Sequence, residues 1–131
     1  MIAPVRIGVA LPKHPPIWIA GNSAAAIERA ARDGDGWHGI DLSPAELASL
    51  VVRVRERAES YGRNVCITLR QLVAPGGAGE RPLHGERATI REHLEAYRAA
   101  GLDYLVASLP RTGTEDEAVR ALEQVARVLL P

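Results

Sequence analysis

The chain has 131 residues, 47% of them hydrophobic and 24% charged, with a formal net charge of zero. That is enough for one domain and one modest core, with the composition of an ordinary soluble globular protein. The charge balance gives no argument for nucleic acid or an anionic membrane as a partner. No apolar run reaches the length of a membrane span. The opening MIAPVRIGVALPK lacks the charged start and long apolar core of a signal peptide, so a cytoplasmic location is expected.

Val5–Leu11, VRIGVAL, reads as a first strand ended by Pro12, Pro15 and Pro16. Ile17–Ala20, IWIA, is a second short apolar strand. AAAIERAARD, from Ala24 to Asp33, is helical, with Ile27, Ala30 and Ala31 on one face and Gly34 as its stop. Gly36–Ile40 is a short strand or turn. Ser43, Pro44 and Glu46 then form a capping box with proline in the first helical turn. That helix runs to about Tyr61 with Leu47, Leu50, Val51, Val54 and Ala58 as its apolar stripe, and Gly62 ends it.

Asn64–Arg70, NVCITLR, is a strand rich in β-branched residues. Its Cys66 is the one cysteine of the chain, which excludes an internal disulfide framework and reads as a buried strand residue. PGGAGERPLHGE is a long glycine-rich connection, expected to be a mobile loop. Ile90, Leu94 and Tyr97 mark a helix that stops at Gly101. Asp103–Leu109 is another buried strand. Thr114 and Glu117 make a second capping box, opening a helix that carries Ala118, Leu122, Val125 and Leu129 to the C-terminus.

The order is one strand and then four βα units. The expected fold is α/β, with parallel βα repeats under a layer of helices. A single domain is expected over residues 1–131, with 1–14 as an N-terminal strand and lead-in and 15–131 as the four units.

The most informative stretch is the turn Gly21-Asn22-Ser23. A helix N-terminus leaves four N–H groups without internal partners and carries partial positive charge. Here the first turn is Ala24, Ala25 and Ala26, and the first carboxylate is Glu28, one turn in. Gly21 permits close approach to the backbone and Ser23 adds a hydroxyl, which together suit a phosphate. The plain alternative is that Ser23 only caps the helix and water fills the rest. The turn is neither GxGxxG nor a Walker motif. His14, His84 and His93 show no ligand spacing, and no metal site is expected.

The longer stretch PPIWIAGNSAAAIERAARDGDGWH resembles the corresponding segment of the luciferase-like monooxygenase family. That family includes flavin-dependent monooxygenases and oxidoreductases that use the deazaflavin coenzyme F420. SPAELASLVVRVRERAESYGR, ITLR and HLEAYRAAGLDYLVASLP are similar to the helices and strands that follow in the family, so the likeness runs from Pro15 to Pro131. The resemblance implies half of a TIM-like (β/α)8 barrel, an enzyme of hydride or oxygen transfer to a small-molecule substrate, and FMN or coenzyme F420 as cofactor. It implies cofactor-phosphate binding at Gly21, Asn22 and Ser23, although Ala20 stands where the family often has a second glycine. It places Trp37 and His38 at the mouth of the barrel. His38 read alone is a structural or surface histidine. Arg70 ends a strand and either faces the site or forms a surface ion pair. No catalytic residue is identified.

A complete (β/α)8 barrel takes ~250 residues, about twice this chain. The likeness covers the C-terminal half of such a barrel. VRIGVAL is similar to the family's first strand, or is the segment that normally precedes PPIWI. A half-barrel leaves two open strand edges and an uncovered face, expected to carry Ile17, Ile19, Ile67, Leu69, Leu105 or their neighbours. A homodimer or a partner chain closing the barrel is therefore expected, with a collapsed monomer as the rival. Three functional readings follow: an oxidoreductase, a non-catalytic cofactor-binding subunit, or a truncated remnant without independent activity.

Overall fold

A computed structural model describes residues 14–131; the strand expected at Val5–Leu11 lies outside the described residues. Trp18–Ala20 (β1), Gly36–Ile40 (β2), Cys66–Leu72 (β3) and Tyr104–Ser108 (β6) form one four-stranded sheet in the order β1-β2-β3-β6. Every pairing is parallel, with Trp18 opposite Gly36, Gly36 opposite Cys66, and Thr68 opposite Tyr104. The helices are Ala24–Asp33 (α1), Pro44–Ser60 (α2), Arg87–Ala99 (α3) and Glu115–Leu129 (α4).

The helix ends follow their local chemistry. Ser23 caps α1 by accepting the Ala26 N–H at 3.2 Å. Ser43 and Glu46 complete the capping box of α2, and Thr114 and Glu117 that of α4. Arg87–Ala99 has no side-chain cap. The third strand is displaced from its expected bounds: it begins at Cys66 and continues through Leu72, because pairing with β6 extends to Leu72 opposite Ser108. The glycine-rich connection is more ordered in its pairing than expected. Ala74–Pro75 (β4) and His84–Gly85 (β5) form a small parallel ladder, and Leu83 beside it is fully buried.

One face of the sheet packs on the helices. Ile67, Leu69 and Trp37 are fully buried there with Leu47, Val54, Ala30 and Ala31. Of the two alternatives expected for the uncovered face, Ile67 and Leu69 are not on it and their neighbours are. Alternation sends these residues to the helix side and their neighbours to the other. That other, open face carries Trp18, His38, Cys66, Thr68, Arg70, Tyr104 and Val106, a mixture of aromatic and polar groups. Trp18 is 41% exposed, Tyr104 60% and Val106 41%.

Two tethers fix the helix layer. The buried Tyr97 of α3 donates its hydroxyl to the Leu42 carbonyl at 2.5 Å, which holds the loop after β2. Burial pushes the Tyr97 hydroxyl well above the usual range, so it stays a donor. On the surface, Glu28 of α1 accepts from both Arg57 and Tyr61 across from α2. These two partners hold the Glu28 carboxyl below its ordinary range.

Candidate functional site

The turn between β1 and α1 is set by a few backbone and side-chain contacts. Gly21 has φ of +128°, and a Cβ there would come within 2.9 Å of the Ala26 Cβ. Only glycine meets both conditions without strain. Its N–H donates to the His38 carbonyl at 3.0 Å, and its carbonyl accepts the Trp37 indole N–H at 2.8 Å. Asn22 continues the strand pairing with its side chain. Its Nδ2 donates to the Ile40 carbonyl at 2.7 Å, and its Oδ1 accepts the Ile40 N–H at 2.9 Å. The Asn22 side chain is therefore occupied in holding the turn.

The hydroxyl oxygen of Ser23 accepts the Ala26 N–H, which leaves the hydroxyl hydrogen free to donate. Ala24 and Ala25 occupy the first two helical positions, whose N–H groups have no intrahelical acceptor. Ser23, Ala24 and Ala25 are exposed, and the first turn of α1 holds no acidic residue. By contrast, α4 opens on Glu115, Asp116 and Glu117, which neutralise its dipole. The turn lies at the C-terminal end of β1, the end at which barrel proteins of this type build their sites.

Next to the turn, the open face carries His38, Thr68 and Arg70. Gly21 is bonded to His38, Asn22 to Ile40, and Ile40 stands opposite Arg70 in the ladder. These residues thus share one end of the sheet. The Arg70 guanidinium lies 3.9 Å from the Asp41 carboxylate, so the surface ion pair expected as an alternative does form. Asp41 itself has φ of +50°. His38 Nδ1 is 2.7 Å from the Thr68 hydroxyl oxygen. Burial, and then the positive charge of Arg70, hold the His38 pKa below its ordinary value.

Trp37 does not line this face. Strand alternation puts it opposite His38, in the core, where its ring packs against Gly39 and Leu42. Its contribution to the turn is the indole hydrogen bond to Gly21.

Sequence reasoning missed three residues of the open face. The Trp18 ring stacks near His38, with centroids 6.1 Å apart at 22°, and lies 5.8 Å from the Tyr104 ring. Thr68 is fully buried between its neighbours. Trp18, Tyr104 and Cys66, with His14, Pro16 and Asp35, line an open cavity of about 620 Å³ at the N-terminal end of the strands. Cys66 is half-buried there, and its thiol is pushed up first by burial and then by the Asp103 carboxylate. Among the described residues, no group of three or more His, Cys, Asp or Glu side chains is placed to hold a metal ion. No helix among them is long and apolar enough to cross a membrane.

Comparison with known proteins adds two findings. The family model described as luciferase-like monooxygenase matches residues 3–78. A solved structure of an F420-dependent secondary alcohol dehydrogenase in complex with an F420-acetone adduct superposes with a TM-score of 0.67 at 8% identity. The match covers 92% of this chain and 50% of that one, so the chain spans about half that protein's length. At this identity the likeness establishes the fold: parallel βα units, half of a TIM-like barrel.

Proposed function

The chain belongs to the luciferase-like monooxygenase family, and on that premise we propose that it holds the phosphate of FMN or coenzyme F420 at Gly21–Ser23. The reaction proposed is hydride or oxygen transfer to a small organic substrate on the open face. The observation that carries this reading is the turn itself. An exposed helix N-terminus without a carboxylate follows a glycine at φ of +128°, at the C-terminal end of a barrel strand.

The residues present fit an anionic group. The N–H groups of Ala24 and Ala25 and the Ser23 hydroxyl supply donors, and the α1 dipole adds favourable potential. Arg70 stands at the same end of the sheet on β3, one strand beyond β2, as a positive charge shared with Asp41. Trp37 and the Asn22 clasp keep the turn from relaxing. Beyond the turn, Trp18 and Tyr104 offer apolar ring surface and His38 a polar group. The cofactor, when bound, supplies the redox chemistry, and the chain supplies binding, orientation and exclusion of water.

The sheet ends on β1 and β6 at its two edges among the described residues, and unpaired edges accept another strand. We therefore also propose that a second copy, or a partner chain, covers the open face. A non-catalytic cofactor-binding subunit is the second reading, since the donors at Gly21–Ser23 account for binding by themselves. Titration with FMN and with coenzyme F420, followed by turnover assays with the reduced cofactor, separates the two. Binding with turnover supports the oxidoreductase, binding alone supports the subunit, and no binding of either cofactor overturns both.

A further inference from the structure

We propose that His38 is a neutral imidazole fixed by Thr68 in the Nδ1–H tautomer, which presents the Nε2 lone pair to the open face as the acceptor for a hydrogen-bond donor on the bound ligand. The argument begins at a carbonyl. The Thr68 hydroxyl oxygen lies 3.0 Å from the Trp37 carbonyl oxygen, which can only accept. The single hydroxyl hydrogen is spent there. The same Thr68 oxygen lies 2.7 Å from His38 Nδ1 and can then only accept, so Nδ1 carries the proton. Nε2 is the distal ring nitrogen and has no protein partner among the described residues.

The surroundings keep the ring neutral and aimed. His38 is half-buried between the Trp18 ring on β1 and Thr68 on β3. Burial is the main influence that disfavours the charged ring, and Arg70, on the same face of β3, adds positive charge to it. Asp41 lies beyond the end of β2 and is engaged by Arg70. Among the described residues, Tyr104 and Cys66 are the remaining titratable groups on the strands of this face near the ring, from β6 and β3. A free histidine equilibrates between tautomers. Here the backbone of its own strand, acting through Thr68, selects one.

The inference builds on the reading of the open face as the ligand side, so its test starts without a ligand. Long-range proton–nitrogen NMR of the ¹⁵N-labelled chain at pH 7, with His38→Gln to assign the signals, reads the tautomer directly. The expected result is Nδ1–H for His38. Thr68→Ser is expected to retain it, and Thr68→Val to shift the ring mainly to Nε2–H. Nε2–H or a doubly protonated ring in the unaltered chain overturns the proposal, as does a Thr68→Val spectrum that keeps Nδ1–H. FMN is then added. Binding seen by absorbance is expected to move the Nε2 resonance while Nδ1–H persists, and binding that leaves Nε2 unmoved overturns the acceptor role. Failure of FMN to bind counts only against FMN as the cofactor, the same spectrum is then read with coenzyme F420, and the tautomer measurement decides this proposal in either case.

Discussion

Trp37 donates its indole N–H to the Gly21 carbonyl at 2.8 Å, so a fully buried core side chain holds the outermost turn of the candidate site. Trp37→Phe keeps most of the ring and removes the donor. Leaving the Gly21 carbonyl without this partner is expected to cost ~1–3 kcal/mol, with further loss from the smaller ring. Urea denaturation reads the stability, and FMN titration is expected to show weaker binding alongside it. Unchanged stability would mean that the turn stands without the tryptophan.

Ala25→Asp gives effects of opposite sign on stability and binding. A carboxylate in the first turn of α1 favours the helix dipole, by roughly 0.3–1 kcal/mol at an exposed position. The same charge repels a phosphate. Thermal melting is expected to rise slightly while FMN or F420 affinity falls. A variant with unchanged affinity would place the ligand away from this turn.

Gly21→Ala tests the backbone directly. The residue sits at φ of +128°, and its new Cβ would meet the Ala26 Cβ at 2.9 Å. Strain of this kind costs about 1–3 kcal/mol. Denaturant melts are expected to show that loss, and a neutral result would mean that the turn can shift to accommodate a side chain.

His38 gives a pH dependence of definite sign. Its folded pKa lies below the ordinary value because burial and Arg70 disfavour the imidazolium. At pH values between the two pKa values the unfolded chain binds more protons, so stability rises with pH there. The His38 contribution is full above the unfolded pKa of about 6.5 and is lost as pH falls through the lower folded value. Melting curves from pH 7 to pH 5 are expected to be less steep in pH for His38→Gln than for the unaltered chain. Equal slopes would mean that His38 is not shifted.

Closure of the open face is read by mass. Val106, 41% exposed on β6, belongs to the surface that a second copy would cover. Light scattering at micromolar concentration is expected to give about twice the chain mass of 14.1 kDa, and Val106→Lys is expected to shift it toward one chain. A single-chain mass for the unaltered protein would contradict the homodimer and leave a different partner chain to cover the face.

Much of this architecture was legible in the sequence. Helix α1 spans Ala24–Asp33 as its alanine-rich pattern and Gly34 stop require, and both capping boxes form from the spacing of Ser43 with Glu46 and Thr114 with Glu117. The direction of side chains across the sheet was less legible. Trp37 and His38 are adjacent in one strand, so they could not both line one face. Which one did depended on where the helices lay. The runs around Cys66 and Val106 look uniformly apolar, which hid Thr68 and Tyr104 as members of the open face. The β4–β5 ladder was hidden for another reason: two-residue strands spaced by glycine and proline carry no periodicity, although the buried Val73, Ala74 and Leu83 tie them to the core.

The central claim is that a cofactor phosphate sits at Gly21–Ser23. Its most direct test is titration of the unaltered chain with FMN and with coenzyme F420, repeated in the presence of inorganic phosphate and with Ala25→Asp. The account predicts that at least one cofactor binds, that inorganic phosphate displaces it, and that Ala25→Asp weakens it. Binding that is indifferent to both phosphate and Ala25→Asp, or no binding of either cofactor, would contradict it.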